Sequence, residues 1–157
     1  MLAERHAGLM RSHEFFNALP AATRPHLPKR LQAFESIRRS WLVQLYYATP
    51  LLHYEVWNLG ERRGQLELGL HFESRDHDEN ERLLHGFQAN LFEIKAELGQ
   101  AVEAEQWDKG WTKVYELLPR QSFTSEYLDQ VAVRLAQFIV FLQPIFEDVY
   151  GSGKPRR

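Results

Sequence analysis

Hydrophobic and polar residues alternate most regularly in two stretches of the chain, residues 51–58 and 65–73. Strict alternation is typical of antiparallel strands that bury one face and expose the other. The segment between them, LGERRG, has a glycine near each end and suits a hairpin loop. The pattern therefore predicts a β-hairpin. Its inward-facing residues are Leu52, Tyr54 and Val56 on the first strand and Leu66, Leu68, Leu70 and Phe72 on the second.

A long amphipathic helix is predicted directly after this hairpin. Ser74, Asp76 and Asp78 offer side chains that cap a helix N-terminus, and Gly99 is well placed to end the helix. Between these signals, apolar residues recur every three or four positions, which is the spacing of one helix face. That stripe consists of Leu83, Leu84, Phe87, Leu91, Ile94 and Leu98.

A second hairpin and a second helix are predicted in the C-terminal part. The strands cover residues 102–107 and 111–117, with the turn at 108–110. Thr124 or Ser125 then caps a last helix, whose apolar stripe is regular. Pro144 lies inside this stripe, and we expect it to kink or end the helix near Phe141 because proline removes a backbone hydrogen bond.

Two helices are predicted before the first hairpin. The first covers residues 2–19 and ends at Pro20, since proline restricts the residue before it. The second begins at Pro28, a residue that suits a first helical turn, and runs to residue 47. A strand over residues 41–47 is the alternative for its second half. The helix is favoured because Val43 is the only β-branched residue in that run.

These elements predict a single α+β domain over residues 1–150, followed by a flexible tail at 151–157. Two N-terminal helices precede two β-hairpin–helix units. The units form a four-stranded, mostly antiparallel sheet with helices on one face, because both hairpins and helices must bury their apolar sides against each other.

Composition excludes several classes of function. The 157 residues carry a formal net charge of −2, which provides no general field for nucleic acid or an anionic membrane. The chain has no cysteine, so disulfides, thiolate catalysis and cysteine-ligated metals are excluded. We see no signal peptide and no segment long and apolar enough to span a bilayer. A cytoplasmic protein without membrane contact is expected.

A histidine–aromatic–glutamate triplet occurs in each strand of the first hairpin, and its polar residues point away from the core. If His53 pairs with His71, Glu55 faces Gly69 across the hairpin. Two imidazoles with nearby carboxylates suit zinc or a similar ion, and equally suit proton transfer. A solvated polar face is the ordinary alternative. The ligand-binding candidates are His53, Glu55, Trp57, His71 and Glu73, of which the two histidines and two glutamates are the metal candidates.

Other clusters favour ordinary structural roles. The acidic run at residues 73–79 is typical of a capped first helical turn. The basic residues at 24–39 are interrupted by Glu35 and favour a solvated face over a phosphate site. Trp107 and Trp111 flank a turn, where they either pack at the strand ends or stack on a ligand.

The strings LYYATPLLHYEVW and LELGLHFE, followed by an acidic helix start, resemble an uncharacterised bacterial family of about this size, a domain of unknown function. The resemblance spans most of the chain from Trp41 onward and rests on the HYEVW and GLHFE strand motifs. It implies a bacterial cytosolic α+β protein, and it implies no activity.

The expected function is that of a non-enzymatic binding or interaction module that needs no cofactor. Its partner would be another protein or a second copy of the chain, bound through exposed aromatic surface. The alternative is a metal-dependent or acid/base enzyme that uses His53, Glu55, His71 and Glu73.

Overall fold

A six-stranded antiparallel sheet organises the computed structural model, which describes residues 8–153. The strand order across the sheet is β1-β2-β3-β4-β6-β5. The strands are β1 Glu35–Arg38, β2 Leu42–Tyr46, β3 Leu52–Asn58, β4 Gln65–Phe72, β5 Glu103–Asp108 and β6 Trp111–Pro119. The described helices are α1 Ser12–Thr23, α2 His77–Ala89, α3 Leu91–Leu98 and α4 Ser125–Ser152, with short 3-10 turns at Arg24–His26 and Lys29–Leu31.

The central hairpin β3–β4 has the predicted register. His53 pairs with His71, Glu55 with Gly69 and Trp57 with Glu67. Because side chains alternate between faces, this register places all the leucines of β4 on one face and all its histidine and glutamate side chains on the other. The inward-facing rows predicted for the two strands are confirmed, since every residue in them, from Leu52 on β3 to Phe72 on β4, is buried.

Helices cover the apolar face of the sheet. The Phe72 ring lies 5.3 Å from Phe87 of α2 and 6.4 Å from Phe146 of α4, between ring centroids. α1 packs at one side of α4, where Phe15 stacks on Tyr127 with ring centroids 5.7 Å apart. We call this helix-covered side the inner face and the opposite side the outer face.

The predicted helix over residues 28–47 is wrong. Its second half forms β2, the alternative considered above, and β1 adds a further strand that the pattern did not predict. β2 pairs with β3, and its alternate residues Val43 and Leu45 reach the core. The gain from completing the sheet outweighs the weak local preference for a helix. The sheet therefore has six strands rather than four, and one N-terminal α-helix is described rather than two.

Two helices continue through prolines, of which Pro20 was predicted to end its helix and Pro144 was predicted to kink or end its helix near Phe141. α1 passes through Pro20 to Thr23, and α4 passes through Pro144 to Ser152. A proline costs one backbone hydrogen bond, but buried side chains on both sides of Pro144, Leu142 and Phe146, anchor α4 to the core. The start of the first predicted helix, at residues 2–7, lies outside the described residues.

The helix predicted to run to Gly99 is confirmed in position but divided in two. Asp76 caps α2 by accepting a hydrogen bond from the Asp78 amide, and Asn90 separates α2 from α3. Gly99 ends α3 with a φ of 115°, a conformation that favours glycine. The predicted cap of the last helix is confirmed too, since Thr124 accepts from the Tyr127 amide. The predicted tail begins within α4, and residues 154–157 lie outside the described part.

By length and composition, α4 is apolar enough to cross a membrane, contrary to the expectation from the sequence. Half of its most apolar window is buried within the protein. A core helix of this kind passes the same criterion, so packing against the sheet accounts for its composition.

Gly69 permits a close approach between β4 and β6. A Cβ atom at this position would lie 2.4 Å from the carbonyl oxygen of Val114 and 2.6 Å from the Cβ of Tyr115. We expect Gly69→Ala to lower the free energy of unfolding by about 1–3 kcal/mol, because the two strands would have to separate. Urea denaturation measures this loss. Gly151→Ala is the matched control, since nothing lies within 4 Å of the added atom; equal stability of both variants would contradict the close approach.

A candidate metal centre on the outer face

The outer face carries a cluster of polar side chains around the paired histidines. β3 contributes His53 and Glu55, β4 contributes His71, and Glu73 follows β4 directly. The two imidazoles are 2% and 0% exposed, and the Glu73 side chain is 16% exposed. Burial of this extent is unusual for charged groups unless they are paired or bind a metal.

One ligand atom from each of His53, Glu55, His71 and Glu73 lies within 4.8 Å of the other three. His53 Nε2 lies 3.4 Å from Glu55 Oε1 and 3.7 Å from Glu73 Oε2. His71 Nδ1 lies 3.6 Å from Glu55 Oε2 and 2.9 Å from Glu73 Oε2. Ligands of a tetrahedral zinc ion with bonds of 2.0–2.1 Å are about 3.3 Å apart. The four histidine–glutamate contacts, at 2.9–3.7 Å, lie near this spacing.

A backbone contact fixes the orientation of His53. Its Nδ1 lies 2.8 Å from the carbonyl oxygen of Pro50, which only accepts hydrogen bonds, so Nδ1 carries a hydrogen. The other nitrogen, Nε2, faces the carboxylates of Glu55 and Glu73 without making a hydrogen bond. In a neutral imidazole, this nitrogen carries a lone pair that is directed at the negatively charged carboxylate oxygens. A proton or a cation must balance that contact.

A chain of charged groups supports His71 from the opposite side. Its Nε2 is buried without a hydrogen bond and lies 3.7 Å from Glu67 Oε1. Glu67 Oε1 in turn forms an ion pair with Lys113 Nζ at 2.6 Å. Lys113 pairs with His71 across β4 and β6, and its ammonium lies 5.0 Å from the centre of the Trp107 ring. This arrangement leaves His71 Nδ1 for the cluster.

The charges of the cluster shift its pKa values in opposite directions. Burial raises the pKa of Glu55, but close contact with His53 and the charge of His71 outweigh burial and lower that pKa to about 2. Burial lowers the pKa of His71, but the hydrogen bond to Glu73 and the nearby carboxylates raise it overall. Gln44 also donates a hydrogen bond of 2.8 Å to Glu55 Oε1. Without an ion, a proton on His71 therefore balances part of the negative charge of the carboxylates.

Tryptophan rings cover part of the cluster. The Trp107 ring lies 5.5 Å from His71, 6.2 Å from Trp57 and 5.5 Å from Trp111, between centroids. Trp107 occupies an irregularity in the pairing of β5 with β6. Trp57, a predicted ligand-binding candidate, lies beside the Trp107 ring and is not one of the four clustered ligand groups.

The sequence interpretation named the four clustered residues and omitted their supports. Glu67 was detectable, since it shares the outward row of β4 with His71. Gln44 was assigned to a helix. Lys113 reaches the site through the pairing of β4 with β6, strands that are distant along the chain. Local periodicity carries no signal for such a pairing.

No protein-family model, no curated protein and no solved structure matches this chain. The resemblance to an uncharacterised bacterial family stays a prediction.

We expect Glu55 to stabilise the metal-free protein above pH 4.5 and to lose this contribution as the pH falls towards 2. Its pKa is lower in the folded protein than the ordinary 4.5, so the unfolded chain binds more protons in this range. The contribution is at most about 3 kcal/mol. Urea denaturation in EDTA should show a flatter dependence on acid for Glu55→Gln than for the natural protein.

Glu61→Gln is the control for this experiment, because the Glu61 side chain is 92% exposed. Its stability should follow the acid dependence of the natural protein. Equal slopes for Glu55→Gln and Glu61→Gln would show that Glu55 is not held as a buried carboxylate.

Proposed function

We propose that this protein binds one divalent transition-metal ion, with zinc as the best fit, and acts as a non-enzymatic binding module. The ligands are His53 Nε2, His71 Nδ1 and one oxygen each from Glu55 and Glu73. The observation that carries the proposal is the convergence of four ligand atoms within 4.8 Å, with His53 Nε2 directed at two carboxylates.

Charge balance favours a divalent ion. The carboxylates of Glu55 and Glu73 carry two negative charges, and imidazoles bind metals in their neutral form. Glu67 is already paired with Lys113 and adds no net charge. A divalent cation would neutralise the buried set and remove the repulsion between the lone pairs and the oxygens.

Protons satisfy the cluster less well than a metal does. A hydrogen on His53 Nε2 would face Glu55 at 3.4 Å and Glu73 at 3.7 Å, both longer than an ordinary hydrogen bond. A metal ion among the four groups would accept a lone pair from each of them. The same ion would give the buried nitrogen His53 Nε2 the partner that it otherwise lacks.

The groups behind the ligands are those of an oriented metal site. The Pro50 carbonyl holds His53, Gln44 holds Glu55, and Glu67 faces the far nitrogen of His71. Such outer partners fix the tautomer of a ligating histidine and its direction. Two imidazole nitrogens favour zinc and its neighbours over calcium and magnesium, which prefer oxygen ligands.

The number of ligands favours binding over catalysis. Four protein groups complete a tetrahedral zinc site, whereas a catalytic zinc keeps one position for water or substrate. The alternative, a metal-dependent or acid/base enzyme, requires one ligand to leave. Glu73 is the most exposed of the four and is the group that would do so. A homodimer or a protein partner stays a prediction.

The experiment is zinc binding to protein that has been stripped with EDTA and dialysed. We expect one zinc per chain by elemental analysis, and a gain of about 2.7 kcal/mol in unfolding free energy at a free zinc concentration of 100 times Kd. His53→Ala and His71→Ala should each bind zinc at least tenfold more weakly, because each loses one ligand.

His85→Ala is the matched control, because this histidine is exposed on α2 and lies outside the cluster. It should bind zinc as the natural protein does. Circular dichroism establishes that each variant is folded before binding is compared. Retention of full zinc affinity by both cluster variants, or no zinc bound by the natural protein, would contradict the proposal.

A further inference from the structure

A cleft of about 200 Å³ opens on the outer face beside the four candidate metal ligands. Its floor includes a row of residues paired across β3, β4 and β6, namely Trp57, Glu67 and Leu117. Lys113, Tyr115 and Trp107 line the cleft from β6 and β5, and Arg63 reaches it from the β3–β4 loop. The cleft therefore joins the centre of the sheet to the surface.

Flat rings dominate this lining. Trp57, Trp107 and Tyr115 present three aromatic side chains, each partly exposed. The Lys113 ammonium lies 4.1 Å from the centre of the Tyr115 ring and 5.0 Å from that of Trp107, so it holds both rings in place. Rings that are fixed in this way offer a stacking surface for a planar ligand.

Among the side chains that line the cleft, the unbalanced charge is positive; Glu105 lies outside the lining, where it accepts a hydrogen bond from the Tyr115 hydroxyl. Glu67 and Lys113 neutralise each other at 2.6 Å. Arg63 is exposed and makes no ion pair or hydrogen bond within the described residues. A guanidinium favours planar anions because its donors match both oxygens of a carboxylate.

One polar atom of the lining lacks a partner. The indole Nε1 of Trp107 is buried and makes no hydrogen bond within the described part of the chain. Buried donors are rarely left without an acceptor, and each such atom calls for an explanation. Nε1 itself has almost no accessible surface, so it donates to a ligand oxygen only when the Trp107 ring turns into the cleft.

We infer that this cleft binds a small planar organic anion, a carboxylate carried on one or two aromatic rings. Its carboxylate pairs with Arg63, its ring stacks on the aromatic lining, and the Trp107 ring turns so that Nε1 donates to one of its oxygens. The volume is below that of sites for drug-sized ligands, which limits the ligand to one or two rings. This inference does not depend on the metal proposal, because none of the four metal ligands lines the cleft.

The test is a titration of the full chain in EDTA with benzoate and with indole-3-acetate, followed by the indole N–H resonances in a ¹⁵N NMR spectrum. Trp107→Phe identifies the Trp107 resonance by its loss. We expect saturable shifts of that resonance with at least one of the two anions. Benzamide, which has the same ring without the charge, should bind about tenfold more weakly than benzoate if benzoate binds.

Arg63→Ala should weaken binding of the anion about tenfold, because it removes the charge-assisted hydrogen bonds. Arg62→Ala is the matched control, since Arg62 is the exposed neighbour that does not line the cleft. No saturable shift with either anion up to about 10 mM would overturn the inference. So would equal affinity in the Arg63→Ala and Arg62→Ala variants.

Discussion

The pairing of β3 with β4 in a single register is the constraint on which the rest of the structure depends. Side chains alternate along each strand, so a slip by one residue would send the leucines of β4 outward and its histidine and glutamates inward. The observed register avoids this and sets His53 opposite His71. One ladder of backbone hydrogen bonds therefore builds the core under the inner face and gathers the ionisable groups on the outer face.

This arrangement is energetically unfavourable for the side chains on the outer face. Ionisable groups at His53, Glu55, Glu67 and His71 are buried although no core requires them there. Burial of charge is unfavourable unless each group is paired. Lys113 balances Glu67, while the lone pairs and carboxylates of the remaining set require either protons or a cation. The proposed metal ion would meet this requirement. The pKa shifts of Glu55 and His71 apply to the same groups in the metal-free protein, where protons take the place of the ion.

The sequence predicted those features that depend on neighbours along the chain. Alternation and a short loop suffice to pair His53 with His71, so the four candidate ligands could be found without a structure. β1 was missed, and the strand at β2 was only the alternative to a helix, because apolar residues from Leu31 to Leu45 also recur at helical spacing; pairing with β3 decides between the two. Lys113 and Trp107 reach the cluster through β6 and β5, and such distant pairings leave no local pattern. The core was thus predictable in large part, and the supports of the site were not.

The central claim is that one metal ion lies between the four ligands. A crystal structure of the zinc-loaded protein, with anomalous data collected above and below the zinc edge, tests it most directly. We expect one strong anomalous peak within bonding distance of His53 Nε2, His71 Nδ1, Glu55 and Glu73, about 2.0–2.1 Å from each ligand atom. Zinc found at other positions alone, with the His53 and Glu55 side chains in direct contact and no peak among them, would contradict it.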